Sequence, residues 1–307
     1  MRNAADYEKS PDGGHATGWP LVRGRLREYA RLMRLDRPIG VWLLLWPALW
    51  ALWISADGRP DERIFVIFLV GTFVMRSAGC VINDFADREY DPHVRRTADR
   101  PLARQAVSPA EALALFAVLG LVALALLIPM NRPTQVLALI GGVLAITYPF
   151  LKRFFSLPQA YLGLAFSWSV PMAFAAQTGS LPLVAWVLFL AGVLWTTAYD
   201  TIYAMVDRED DLVIGVRSSA ILFGRADRGI VAALQLGALG CLALAGYLAQ
   251  LHHWFWGGLG IAALLSIYQQ YLIRRRDPAQ CFRAFLNNNL VGLAIFGGIL
   301  LDYLFIG

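Results

Sequence analysis

The sequence predicts an all-α polytopic membrane bundle of nine transmembrane helices, built as two four-helix pseudo-repeats plus a ninth helix. Three observations predict it. The chain of 307 residues is 58% apolar and 16% charged, with a mean hydropathy of +0.53. Soluble domains run about 45–50% apolar and about 25% charged, so this chain lacks the polar surface to coat a water-facing exterior, whereas a lipid-facing one needs almost none. Apolar segments near the length of about 20 residues that crosses a bilayer recur along the chain. Finally, an acidic stretch that closes one of them returns four segments later.

Residues 1–20 are polar, with Pro and Gly and no apolar run after the first charges. They read as a disordered tail rather than a cleavable signal peptide. Residues 21–307 form a single membrane domain. Its first part, 21–37, is a juxtamembrane amphipathic helix, with Arg23, Arg27, Arg31 and Arg34 on one face and Leu26, Tyr29, Ala30 and Met33 on the other. That pattern suits an anionic membrane surface, as do the net charge of +5 and the pI near 9.3. Nothing in the pattern suits nucleic acid, which calls for basic residues interleaved with aromatics in a soluble domain.

The nine spans are Ile39–Ala56, Ile64–Ile82, Ala112–Ile128, Thr134–Phe150, Ala160–Thr178, Leu183–Tyr203, Ile230–Ala249, Trp254–Ile273 and Phe285–Ile306. Connections after the first, third, fifth and seventh are short and nearly uncharged; those after the second and sixth are long and highly charged. With the N-terminus inside, 23 of the 27 Lys and Arg residues fall on the inner side and three on the outer, Arg76 lying within the second span. This bias orients the N-terminus to the cytoplasm and the C-terminus to the periplasm. Cys80, Cys241 and Cys281 lack metal or redox spacing and read as packing residues. His252 and His253, beside Trp254 and Trp256, read as an interfacial anchor. The Trp-rich first span, with Trp42, Trp46, Trp50 and Trp53, reads as interface or packing.

The acidic repeats carry the chemistry. Asp84, Asp87 and Asp91 are spaced i, i+3, i+7, and Asp200, Asp207 and Asp211 are spaced i, i+7, i+11, so each set predicts a stripe on one helical face. A carboxylate near the membrane core costs roughly 2.5–3.5 kcal/mol on insertion scales, and several together call for a compensating cation. Oxygen ligands without His or Cys point to Mg²⁺ or Ca²⁺. Mg²⁺ takes one or two carboxylates and completes its shell with water and phosphate oxygens. Further cations follow in the loops: Arg95, Arg96 and Arg100 after the first stripe, Lys152 beside Tyr148 after the fourth span, and Arg217 after the second stripe. Local ion pairing would explain either stripe alone, but not two at matched positions. Glu89 and Asp210 fall off the stripes, and Arg88 and Arg208 are expected to face water.

The run Asn83-Asp84-Phe85-Ala86-Asp87-Arg88-Glu89-Tyr90-Asp91 resembles the N-D-x-x-D-x-x-x-D motif of the UbiA family of intramembrane prenyltransferases, and Asp207 and Asp211 supply its second D-x-x-x-D. The stretches LDRPIGVWLLLWPALWAL, RTADRPL and YDTIYAMVDREDDLVIGVRSSAILFG are similar to the 4-hydroxybenzoate polyprenyltransferase branch, and the likeness runs over nearly the whole chain from about Leu32. The resemblance implies that Asn83, Asp84, Asp87 and Asp91 hold one Mg²⁺ and Asp207 and Asp211 another. The ions, with Arg96, Arg100, Tyr148 and Lys152, would bind the diphosphate of a polyprenyl donor. The acceptor, 4-hydroxybenzoate, would be prenylated ortho to its hydroxyl, with Asp200 orienting that hydroxyl or removing a proton and Arg37 pairing with the carboxylate. The step would serve ubiquinone synthesis in a bacterial inner membrane.

The apolar tail is expected between helices with a sideways opening to lipid, near the small-residue pairs Gly141-Gly142 and Gly297-Gly298, each of which is also consistent with plain helix packing. Naphthoate, homogentisate or a porphyrin are the other acceptors within the family. A cation-coupled transporter is the reading from a different class, but it expects its acids near the midplane.

Overall fold

The computed structural model describes residues 19–94, 97–151, 154–215 and 217–306. Every regular element among them is helical: α1 (Trp19–Leu32), α2 (Ile39–Ser55), α3 (Glu62–Asp87), α4 (Pro109–Leu127), α5 (Arg132–Leu151), α6 (Pro158–Ser167), α7 (Ser169–Thr178), α8 (Leu183–Val206), α9 (Arg208–Ile214), α10 (Ser219–Phe223), α11 (Asp227–Leu248), α12 (His253–Leu272) and α13 (Pro278–Phe305). The expected tail, 1–20, lies outside the described residues except for the first two of α1.

Helix boundaries follow local chemistry. Asp61 caps α3, accepting from the Ile64 N–H at 2.9 Å. Ser108 and Glu111 form a reciprocal capping box at α4, with Pro109 at its first position. Asp277 caps α13 ahead of Pro278. Each device satisfies N–H groups that a helix start leaves without partners.

Among the described residues six helical stretches are long and apolar enough to cross a membrane: α3, α4, α5, α8, the run Ser219–Leu248 that includes α11, and α13. The protein is therefore multi-pass, although three of the nine expected spans depart from that standard. The first, α2, has 17 residues. The fifth is not one helix but two, α6 and α7, of ten residues each with a break at Trp168. Pro171 supplies the reason: it has no N–H to offer the Ser167 carbonyl, and its ring crowds that carbonyl. The eighth, α12, carries Gln269 and Gln270 and falls outside the six.

At the centre is α2, whose Leu43, Trp46, Trp50 and Leu52 are buried against α7, α8 and α13. Its tryptophans thus divide: Trp46 and Trp50 pack, while Trp42 is exposed. Three consecutive asparagines on α13 each serve a different helix. Asn287 accepts from Gln269 of α12 at 3.0 Å, Asn288 from the Trp195 indole of α8 at 3.0 Å, and Asn289 from the Trp46 indole of α2 at 2.9 Å. Hydrogen bonds hold such helices in register where apolar burial gives no preference. Outward faces of α4 and α5 present Val118, Leu121, Val122, Val136 and Ile140, as lipid contact requires.

The helix α1 ends earlier than expected, at Leu32. Its polar face is turned toward protein as well as solvent. Tyr29 donates to Glu111 at 2.8 Å, Arg31 pairs with Asp99 at 2.7 Å, and Arg104 pairs with Glu28. The hydrogen bond to Glu111 is the main cause that raises the Tyr29 phenol above its usual pKa. Leu32 is fully buried in a small cluster with Val81, Leu102, Val107 and Ala112. The helix is a brace across the loop that follows the first acidic stretch.

Candidate functional site

One cavity of about 930 Å³ opens at the end of the bundle where α3 and α8 terminate. Asn83, Asp84, Asp87, Asp91, Asp200, Asp207 and Asp211 all line it, as do Arg37, Arg100, Tyr148 and Arg217. Two sequence-distant acidic stretches therefore face a shared space. Arg96 and Lys152, and Arg95 with them, lie outside the described residues.

The first cluster is deep. Asp84, Asp87 and Asp91 are 1%, 6% and 5% exposed. They do not form one unbroken helical stripe: α3 ends at Asp87, and Asp91 opens a short 3₁₀ turn, Asp91–His93. Arg34 grips both oxygens of Asp84 at 2.8 and 2.9 Å. Arg100 bridges Asp84 at 3.1 Å and Asp91 at 2.8 Å, and Asn83 donates to Asp87 at 3.3 Å. Burial raises the pKa of Asp91, and neighbouring Asp87 and Asp84 add to that; Arg100 opposes it. Arg88 faces away as expected, bonding Glu89 at 3.0 Å and the Phe85 carbonyl at 2.9 Å.

The second cluster is built on a break. Asp200 lies within α8, Asp207 at the junction where α8 gives way to α9, and Asp211 on α9. The predicted continuous stripe is thus bent, with α9 closed by Gly215 at φ +75, a conformation that suits glycine. Arg208 is only partly open to water. It pairs at 3.3 Å with Asp227, which is fully buried and also grips Arg276 at 2.6 Å. The guanidinium of Arg276 further donates to the Arg225 carbonyl at 3.0 Å. Arg217 is exposed and ties this region to the α5–α6 loop, donating to the Phe154 carbonyl at 2.8 Å.

Between the clusters, Tyr148 of α5 lies within electrostatic reach of both Asp87 and Asp200. Aromatic rings form an adjoining wall: Tyr199 and Tyr203 contact Phe285 at centroid distances of 6.0 and 4.7 Å.

Three residues of this space escaped the sequence reading. Arg34 is expected on the basic face of the juxtamembrane helix, but the chain leaves the helix at Leu32 and turns left-handed at Arg34, φ +59, which carries the side chain inward to Asp84. Tyr199 gave no signal beyond adjacency to Asp200. Arg76 did: a lone cation inside an apolar helix marks function by default. It lines the cavity, and its guanidinium lies so close to α2 that a Cβ on Gly40 would sit 2.3 Å from its Nε. Arg37, the expected carboxylate partner, stands at the rim, with a side chain 69% exposed and 3.7 Å from Asp36.

Among the described residues no three acidic, His or Cys side chains converge closely enough to enclose a metal by themselves. The clustered donors that line the cavity are oxygens, which suits Mg²⁺: it needs one or two carboxylates and takes its other oxygens from phosphate and water.

Residues 44–291 match the UbiA prenyltransferase family. The chain is 59% identical over 283 residues to the 4-hydroxybenzoate octaprenyltransferase of Nitrosococcus oceani, covering 92% of this chain and 99% of the relative. To the protein of the same name in Methylococcus capsulatus it is 57% identical over 286 residues, 93% of this chain and 98% of the relative. In fold it resembles a UbiA homolog from Aeropyrum pernix K1, with a TM-score of 0.75 and 25% identity over 86% of this chain and 97% of that one. It likewise resembles a UbiA homolog from Archaeoglobus fulgidus solved with GPP and Mg²⁺, with a TM-score of 0.67 and 16% identity over 89% of this chain and 99% of that one.

Proposed function

The chain belongs to the UbiA prenyltransferase family, and from that premise we propose that it transfers a polyprenyl group from polyprenyl diphosphate to the ring carbon ortho to the hydroxyl of 4-hydroxybenzoate. The reaction depends on Mg²⁺ and is an early membrane step of ubiquinone biosynthesis. The observation that carries this reading is the single cavity, shared by both acidic clusters, in a chain 59% identical to a 4-hydroxybenzoate octaprenyltransferase. That relative's name favours an eight-unit donor.

Asn83, Asp84, Asp87 and Asp91 would hold one Mg²⁺ and Asp207 and Asp211 the other; this rests on the all-oxygen donor set. When bound, the metal draws negative charge off the diphosphate as it leaves. Arg34 and Arg100 exchange their carboxylate partners for phosphate oxygens, a bidentate role suited to guanidinium. Tyr148 donates to the same phosphates, with Arg96 and Lys152 adding cations from the loops. The bond between the allylic carbon and the diphosphate oxygen breaks, and the ring carbon of the acceptor forms the new C–C bond. Asp200 orients the phenol and takes the displaced ring proton. The acceptor's carboxylate is assigned to Arg76 rather than Arg37, because Arg76 lies inside the apolar part of the cavity and Arg37 at its wet rim. Tyr199, Tyr203 and Phe285 exclude water from the electron-poor allylic carbon and offer it ring faces.

The same reading sets the chain in a bacterial inner membrane with nine crossings in two four-helix repeats and a ninth helix, its N-terminus cytoplasmic and its C-terminus periplasmic. The asymmetry of basic residues supports it.

Membranes containing the protein, given labelled 4-hydroxybenzoate, octaprenyl diphosphate and Mg²⁺, should yield label extractable into organic solvent, and none after chelation. Transfer only to a naphthoate, homogentisate or a porphyrin would replace the acceptor. Arg76→Gln should raise the acceptor KM about 30-fold, as loss of a charged hydrogen bond implies, and leave the donor KM in place.

A further inference from the structure

Of the six glycines that line the cavity, three have no neighbour where a side chain would stand, one from each of three helices: Gly79 of α3, Gly120 of α4 and Gly142 of α5. All are half-buried, and a Cβ added to any of them would meet nothing within 4 Å. They differ in this from the packing glycines. An added Cβ would lie 2.8 Å from Val193 of α8 at Gly163, 2.2 Å from Trp46 at Gly292 and 3.0 Å from the Trp254 carbonyl at Gly298. Glycine in a helix interior is worse than alanine for the helix, so three that face open space have no packing reason to be glycine.

The three lie within about one helical turn of one another in depth. Gly79 precedes Asp84 by five residues, about 8 Å of helix rise, and Gly142 precedes Tyr148 by six, about 9 Å. Helix α4 runs antiparallel to α3: Leu126 lies 3.9 Å from a Cβ on Gly71, and Ala112 shares a cluster with Val81. Interpolating between these two contacts sets Gly120 beside Met75, about 13 Å of α3 rise from Asp84. Beyond that level the cavity continues to Phe68 and to Met130 in the α4–α5 turn, both nearly buried, at the end of the bundle opposite the acids.

We propose that Gly79, Gly120 and Gly142 form a ring that sets the bore of the corridor taken by the donor's isoprenoid tail, and so decide which tails the enzyme accepts. This rests on the prenyl-transfer reading above. A Cβ at any of the three meets no neighbouring helix, so a side chain there has room to project into the corridor. It would obstruct a tail long enough to pass that depth and leave a tail ending above it untouched.

The test uses the full chain in lipid nanodiscs, with labelled 4-hydroxybenzoate, Mg²⁺ and either octaprenyl or dimethylallyl diphosphate. Gly120→Leu and Gly142→Leu are each expected to raise the KM for octaprenyl diphosphate roughly tenfold or more, while that for dimethylallyl diphosphate moves by less than about twofold. Inhibition by inorganic diphosphate, which reads the head site alone, should stay at the wild-type level. Gly297→Leu is the control, since its added Cβ also meets nothing within 4 Å but it does not line the cavity. If a leucine variant cannot be purified, Gly142→Ala and Gly142→Val should show the same selectivity in graded form. Unchanged selectivity between the two donors in both leucine variants, or an equal loss for both donors, would overturn the ring. A wild-type protein inactive with either donor would instead overturn the proposed function.

Discussion

Among the described residues the two acidic clusters of the cavity differ in the ion pairs that support them. Around Asp84 and Asp91, positive charge sits in front: Arg34 and Arg100 reach the carboxylates directly, at 2.8 to 3.1 Å. Behind Asp207 and Asp211, support comes from the rear, where buried Asp227 ties Arg208 to Arg276. The first cluster occupies the buried end of one long helix and its following turn. The second straddles a junction between two helices. Groups that neutralise the first can themselves turn to a phosphate, and behind the second the junction of two helices is tied down by an ion-pair network outside the cavity. In the proposed scheme, one cluster would couple metal binding to the donor's charge and the other to the fold of the C-terminal half.

Removing a carboxylate from either cluster should break both equally. Asp84→Ala and Asp207→Ala are each expected to lower turnover about a thousandfold, equivalent to about 4 kcal/mol of transition-state stabilisation, with insertion into the membrane unchanged. Near-normal rates in either variant would remove that cluster from the chemistry.

The next effect separates the clusters. Asp227→Asn leaves two guanidiniums facing a neutral group and should cost about 3 kcal/mol of stability, the low end for breaking a buried pair because Arg276 is partly exposed. It should also raise the Mg²⁺ concentration needed for half-maximal rate. Thermal unfolding in detergent with Mg²⁺ titration reads both, and Asp227→Asn with Arg276→Gln should recover part of the stability. A variant as stable as the wild type would show that the second cluster needs no support from behind.

At the first cluster the expected sign is reversed. Arg34→Gln removes a competitor for Asp84, so less Mg²⁺ should be required, while the donor KM rises about tenfold through the lost phosphate contact. Parallel movement of the two constants would argue that Arg34 only shapes the fold. The smallest effect belongs to Arg37→Gln. With its side chain largely in water and Asp36 at 3.7 Å, this variant should stay within about twofold of wild type in all constants.

Much of this was legible in the chain. Apolar length and the imbalance of basic residues identify a membrane bundle, and Asp84, Asp87, Asp207 and Asp211 stand out because carboxylates at the ends of apolar helices are costly. What periodicity could not reveal was where helices stop. The stripe through Asp200, Asp207 and Asp211 assumes one continuous helix, yet the chain breaks at Asp207, and Pro171 divides an expected span in two. Arg34 shares the spacing of Arg23, Arg27 and Arg31, and a single left-handed residue separates its role from theirs.

The sequence by itself determined the class of solvent, the residue types gathered at one end of the bundle and, through motif likeness, the family. Only the tertiary structure decided which arginine meets which aspartate. Arg34 with Asp84, and Asp227 with Arg276, lie 50 and 49 residues apart. Hydropathy and helical spacing are properties of neighbours along the chain; ion pairs and the open space beside a glycine are properties of helices brought together, and those depend on packing that no single segment contains.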